Sequence, residues 1–245
     1  MLTEIQIQDN WNELMTLLKT DSRSEKLIAM YEAYGEDLAI APASGNANYH
    51  NCFPGGYVDH VLRVTKCAEN VYNLWKSLGA EVSSFTLEEL RFAAINHDLG
   101  KAGDINLPYY VPNSSEWHRK NQGLIYELNK ELSYMKVPDR SLYTLQKWGI
   151  SITENEYLAI KLHDGLYSES NKPYYMTIKP EMSIRSNIVY IIHQADLLAS
   201  RIEHANNISH ISTQPTAKLS TPKTSGGTLS SSGDSVNFDI SEFFK

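Results

Sequence analysis

The chain has 245 residues, 42% of them apolar and 21% charged, which is the balance of an ordinary globular protein. A net charge of -7 excludes a nonspecific cationic coat for nucleic acid, while leaving room for a local basic groove. No apolar run is long enough to span a bilayer, and the opening "MLTEIQIQDNW" lacks the basic-then-apolar pattern of a signal peptide.

Helical patterns dominate from the start. Trp11 to Leu18 and Glu25 to Tyr34 read as two short amphipathic helices. The segment "APASGNANYHNCFPGG", Ala41 to Gly56, is a turn-rich loop. From Tyr57 a helix resumes, with Val61, Leu62, Thr65, Ala68, Val71, Tyr72 and Trp75 on one stripe. Cys52 and Cys67 show neither metal-type spacing nor a disulfide framework, so a reducing cytoplasm is the expected compartment.

The next helix announces its start. Thr86 with Glu89 forms a capping box, Phe85 with Leu90 a hydrophobic staple, and the helix reaches His97. Tyr109 to Ser115 reads as a loop, and a helical pattern follows from Trp117 to Leu132. A second capping box, Thr153 with Glu156, opens a helix that ends at His163. After the loop "DGLYSESNKPYY", Ser183 to His204 forms a long helix, with Ile188, Ile191, Ile192, Ala195, Leu198, Ala199 and Ile202 on its apolar side. Alternation with period two is scarce, so strands are minor and the expected fold class is all-α.

The stretch "AAINHDLGK" poses a chemical question. His97 and Asp98 stand where a helix finishes its descent into a core, and neither is cheap to bury unpaired. Asp196 raises the same difficulty, because it lies mid-helix between Ile192 and Ala199, a turn from each. A metal ion answers both, and His60 and His163, near helix ends, are further donors. Imidazole mixed with carboxylate suits Mn, Fe, Co, Ni or Zn better than Ca or Mg alone, although Mg is admitted.

The order His60, then His97-Asp98, then Asp196 resembles the signature of the HD-domain superfamily of metal-dependent phosphohydrolases. "YHNCFPGGYVDHVLRV" is similar to the loop and first-ligand helix of HD-type 3'-5' exoribonucleases and relaxase-associated HD domains. "HDLGK" has the common form of the central pair, and "IIHQADLLASRIE" looks like the last-ligand helix. The resemblance spans roughly Ala41 to Glu203. It implies an HD helical bundle over 1–208. It implies one or two divalent ions, the first on His60, His97, Asp98 and Asp196, and a second completed by His118 and His163, with Asp98 bridging. Asp164 is a ligand, a base or an exposed cap.

The resemblance further implies hydrolysis of a phosphoester, in a nucleotide or a nucleic-acid 3' end, by metal-activated water. Asp98 and Lys101 would then be the catalytic residues. Lys101, Arg119, Lys120 and His50 are candidates for binding substrate, unless the basic ones are simply solvated charge. His193 would line the pocket or hydrogen-bond a ligand, while His204 belongs to the surface. The Tyr109–Tyr110 and Tyr174–Tyr175 pairs either stack a base or pack in the core. The same ligand pattern is also similar to mixed-valent diiron oxygenases of the superfamily, and a binding module with a vestigial site is a third alternative.

Residues 209–235 are rich in Ser, Thr and Gly and bury too little to offset their ordering entropy, so a disordered linker is expected. The final peptide, 236–245, places Asn237, Ile240, Phe243 and Phe244 at the spacing of the sliding-clamp-binding peptide, Gln-x-x-aliphatic-x-x-aromatic-aromatic, with Asn in place of Gln. It implies a DNA sliding clamp as a partner.

Overall fold

A computed structural model of the chain describes residues 1–177 and 179–212. The clamp-binding peptide expected at 236–245, and the linker from 213 onward, lie outside the described residues. The described part is mostly helical, as expected. Its helices are α1 Glu4–Leu18, α2 Ser24–Ala39, α3 Gly56–Ser77, α4 Leu87–Asn96, α5 Glu116–Gln122, α6 Val137–Lys147, α7 Glu154–Leu162, α8 Lys172–Tyr175 and α9 Ile188–Ser212. None of these helices is long and apolar enough to cross a membrane. Cys52 and Cys67 are free thiols.

Local chemistry explains most boundaries. Both expected capping boxes form: the Thr86 and Thr153 hydroxyls accept from the backbone of Glu89 and Glu156, whose carboxylates accept in return from the cap N–H groups. A third box, Thr3 with Gln6, starts α1 well before Trp11. The boundary expected at Tyr34 coincides with non-helical backbone at Gly35, after which α2 continues to Ala39. α9 starts at Ile188 rather than Ser183, because a 3-10 turn occupies Pro180–Met182, and it runs to Ser212, past the boundary expected near 208.

Two regions depart from the sequence reading. The helix expected from Trp117 to Leu132 stops at Gln122. Beyond it, β2 (Tyr126–Leu128) pairs antiparallel with β1 (Tyr110–Pro112), in the stretch expected to be loop. Paired backbone groups there take the place of the helical bonds. Helix α6 was not anticipated at all; it enters through Pro138 in its first turn and buries Ser141, Thr144 and Leu145.

The core forms where α3 and α9 pack together, with α4 against α3 and α7 against both α4 and α9. On α3 the expected stripe holds: Val61, Thr65, Ala68 and Val71 are buried, and Leu62, Tyr72 and Trp75 pack at its edges. On α9, Leu198 and Ile202 are exposed, contrary to expectation. The buried stripe instead runs through Ile188, Ile192, Ala195, Ala199 and Glu203, because α3 covers that side of the helix.

Arg23 ties three helices together. Its guanidinium grips both oxygens of Glu156 at 2.7 and 2.8 Å, reaches Asp21 at 2.9 Å and lies 3.8 Å over the ring of Phe92. Glu156 is buried, so losing its two-pronged partner strands a charge. Arg23→Met is therefore expected to destabilise the fold by about 3 kcal/mol in urea unfolding. Arg23→Lys should recover only part of that loss, since an ammonium cannot reproduce the fork. Equal stability of all three proteins would contradict the tie.

Candidate metal centre

The central pair sits where α4 ends. His97 is the C-cap of α4, and a 3-10 turn, Leu99–Ala102, follows Asp98. α6 presses on that turn. The Ser141 hydroxyl accepts from Gly100 N–H at 2.8 Å and lies 3.1 Å from the carbonyl of His97. A Cβ at position 100 would lie 2.2 Å from the Val137 carbonyl oxygen, so only glycine lets α6 come this close. Asn96, fully buried, bonds the Phe92 carbonyl and receives the Tyr31 hydroxyl. The local backbone is thus fixed from both sides.

Three imidazoles converge on two carboxylates. His60 comes from α3, His97 from α4, His163 from the C-cap of α7 and Asp196 from α9. His60 and His97 are fully buried and His163 nearly so, while the Asp196 side chain keeps 21% of its surface exposed. His60 Nε2 lies 3.2 Å from Asp196 Oδ1 and 3.7 Å from Asp98 Oδ2. His97 Nε2 lies 3.5 Å from the same Asp98 oxygen and 3.9 Å from Asp196. His163 Nε2 lies 3.6 Å from the other Asp98 oxygen, Oδ1, and 3.6 Å from Asp164. Asp98 therefore shows one oxygen to His60 and His97 and the other to His163.

Each imidazole has its remote nitrogen committed elsewhere. His97 Nδ1 faces the Ala94 carbonyl at 2.7 Å, and His163 Nδ1 the Ile160 carbonyl at 2.8 Å. His60 Nδ1 faces both oxygens of Glu203, at 3.0 and 3.2 Å. Every one of these partners is an acceptor, so Nδ1 carries the proton and Nε2 presents a lone pair inward when the ring is neutral. The Nε2 atoms of His60 and His97 are buried and make no well-aligned hydrogen bond, the nearest acceptor being Asp196 Oδ1, 3.2 Å from His60. Donors held about 2.0–2.2 Å from one ion would stand roughly 3.0–3.5 Å apart at tetrahedral or octahedral angles. The measured separations lie close to that range. Mixed nitrogen and oxygen donors facing a common centre fit a divalent transition-metal ion. Close groups of donors that could hold a metal are His60, His97 and Asp196; His97, Asp98 and His163; and His50, His60 and Glu203.

The charges are strongly perturbed. Burial resists a charge on His60, but Glu203 and Asp196 prevail and raise its pKa to about 10. Burial likewise opposes charge on His163, and Asp98 with Asp164 outweighs it, raising the value to about 9. His97 is pushed down to about 4 by burial. The carboxyl of Asp98 is held well below its ordinary range despite burial, chiefly by Lys101 and His97.

Glu203 is the functional candidate that sequence reasoning missed. It is 2% exposed and anchored by Arg63, whose Nε lies 3.1 Å away; Arg63 also reaches Asp59. Its signal was its position: two helical turns beyond Asp196, it continues the buried stripe of α9 where an apolar residue would otherwise sit.

The other expected residues are placed as follows. Lys101 is largely covered and binds Asp98 Oδ2 at 2.6 Å. His50 lies beside His60, with ring centres 4.6 Å apart, and burial pushes its pKa down to about 3. His118, half-buried on α5, belongs to none of the close donor groups, and its ring contacts Trp117. Arg119 bonds the Asn113 carbonyl, and Lys120 pairs with Glu116 on the surface. Tyr109 is buried and Tyr175 bonds the Leu162 carbonyl. A cavity of about 400 Å³ opens beside the donors, bounded by His50, His163, Asp164, His193 and Asp196 among others. His204, expected at the surface, also lines it. His193 both lines the cavity and bonds the His163 carbonyl at 2.8 Å. The lining includes neither Lys101, Arg119 nor Lys120.

Comparison of the chain with protein families, curated proteins and solved structures found no match.

Glu203→Gln keeps the shape but removes the charge that fixes the His60 ring. It is expected to weaken Mn²⁺ binding about tenfold to a hundredfold with helix content unchanged, as measured by titration and circular dichroism. Unaltered affinity would sink that role. The pH dependence has a definite sign. With pKa values of about 10 and 9, His60 and His163 each hold a proton at pH 7 that a metal must displace, whereas His97 is already neutral. Mn²⁺ affinity should therefore rise from pH 6 to pH 8, with calorimetry in buffers of different ionisation heat showing about two protons released. Binding that is flat in pH would refute the linkage.

Proposed function

We propose that the protein is a metal-dependent phosphohydrolase that acts on a phosphoester of a nucleotide or a nucleic-acid end. The observation that carries this reading is the convergence of three imidazole Nε2 atoms on two carboxylates beside an open cavity. The resemblance of His60, "HDLGK" and Asp196 to the HD pattern supports it.

In this reading His60, His97 and Asp196 would hold a divalent ion, and Asp98 and His163 would complete the site or hold a second one, with Asp164 3.6 Å from His163 on the cavity side. Such ions, when bound, acidify water and neutralise the charge on a phosphoryl oxygen.

The chain's own residues do the rest. Glu203 and the Ala94 and Ile160 carbonyls hold the three rings in one tautomer and one orientation. Asp98, kept ionised against burial by Lys101, remains an anionic ligand at any working pH. The Lys101 ammonium, 2.6 Å from Asp98 Oδ2 and outside the cavity lining, serves to hold that carboxylate in place and in charge. The cavity wall at Asp164, His193 and Asp196 admits the substrate while His60 and His97 stay out of bulk water.

The test is hydrolysis by the purified protein of a panel of dNTPs, nucleoside monophosphates, cyclic nucleotides and labelled oligonucleotides, each with Mn²⁺, Mg²⁺, Co²⁺ or Fe²⁺. At least one member is expected to be cleaved, with loss of about three orders of magnitude or more in Asp98→Ala and of about a hundredfold in His163→Ala. Bound metal should fall with activity in both. Dioxygen consumption by iron-loaded protein with no phosphoester cleaved would assign the centre to oxygenase chemistry. Wild-type turnover by Asp98→Ala would overturn the site.

A further inference from the structure

The cavity beside the donors has walls that the metal chemistry does not use. Two of them are tyrosines from separate segments: Tyr49, in the loop before α3, and Tyr167, in the 3-10 turn after α7. Both are strongly exposed, at 63% and 74%. A single exposed aromatic is unremarkable on a protein surface, but two on the rim of one cavity form an apolar mouth on a polar site. Arg201, also on α9, lines the same cavity, is exposed, and has no carboxylate partner among the described residues.

The backbone under both tyrosines is held in place. The loop of Tyr49 is fastened by the Ser44 hydroxyl to the His50 carbonyl at 2.8 Å and by Ala43 N–H to the Asn51 carbonyl at 3.1 Å. The turn of Tyr167 is pinned to α9 at Gly165, where φ is +55° and a Cβ would lie 2.3 Å from the His193 ring. Asn171 closes the same turn by donating to the Gly165 carbonyl at 3.0 Å. The rings are therefore displayed on prepared backbone, which lowers the ordering loss on binding. The cavity, about 400 Å³, lies in the size range of small-molecule sites.

We propose that Tyr49 and Tyr167 form an aromatic grip for the base of the substrate, and that Arg201 meets its anionic charge. The site then selects base-bearing phosphoesters over sugar phosphates and other small esters. A tyrosine face stacks on any base, so this selection reads the presence of a planar ring and not its sequence. The proposal builds on the phosphohydrolase reading, but it is tested by binding and does not need turnover.

The experiment is calorimetric titration of the full chain, in the presence of Mn²⁺, with thymidine 5'-monophosphate and with ribose 5-phosphate. Wild-type protein is expected to prefer the nucleotide by at least about tenfold, as stacking on aromatic side chains gives. The double variant Tyr49→Ala/Tyr167→Ala should lose that preference while binding ribose 5-phosphate as before. Tyr49→Phe/Tyr167→Phe should keep the preference, because the rings remain. Arg201→Gln should weaken both probes alike. Equal wild-type affinity for the two probes, or a preference that survives the alanine pair, would overturn the grip. A normal preference in a protein that cleaves nothing would support the grip and remove the hydrolase reading instead.

Discussion

Burying three imidazoles against two carboxylates is the constraint on which the rest of this structure depends. Each polar group taken from water without a partner costs several kcal/mol or less according to its surroundings, and ionised groups cost more. The fold meets that cost by pairing the outer nitrogen of every ring. Two helix carbonyls serve His97 and His163, and one buried glutamate serves His60. What remains unpaired is turned toward a common centre. The same pairing that satisfies the histidines also aims them, so the stability and the chemistry of the site share one cause.

The bundle is organised around that centre. α3 and α9, the most extensively packed pair, carry His60, Asp196 and Glu203; α4 and α7 end at His97 and His163. Both of these shorter helices begin with a capping box and end with a histidine that leans back on its own last turn. Helix α6 adds the clamp on Gly100. A displaced α6 would move His97 and Asp98 without touching any donor, which makes Ser141 as consequential for geometry as a residue lining the site.

Much of this was legible in the sequence, for reasons that are local. The caps at Thr86 and Thr153 are written in four residues each, and the stripe of α3 in the fifteen from Val61 to Trp75. Asp196 betrayed itself by sitting among Ile192, Ala195 and Ala199. The parts that were not legible depend on distance along the chain. Glu203 meets His60 across 143 positions. Helix α6 draws its importance from a glycine 41 residues before Ser141. The sheet formed by Tyr110–Pro112 and Tyr126–Leu128 needs a partner strand that periodicity does not reveal. The place of His118 in the chain order suggested a ligand, whereas the close donor group around His163 consists of His97 and Asp98, with Asp164 3.6 Å from the His163 ring. The aromatic rim followed the same pattern, since adjacent tyrosines drew notice while Tyr49 and Tyr167, far apart in sequence, share the cavity.

The central claim is that these inward-facing donors are a metal centre whose two halves share Asp98. Anomalous diffraction from crystals grown with Mn²⁺ tests it most directly. The expected result is a pair of anomalous peaks on either side of the Asp98 carboxylate, one among His60, His97 and Asp196 and the other at His163. Crystals saturated with Mn²⁺ that show no peak at these residues, or show ions only elsewhere on the protein, would contradict it.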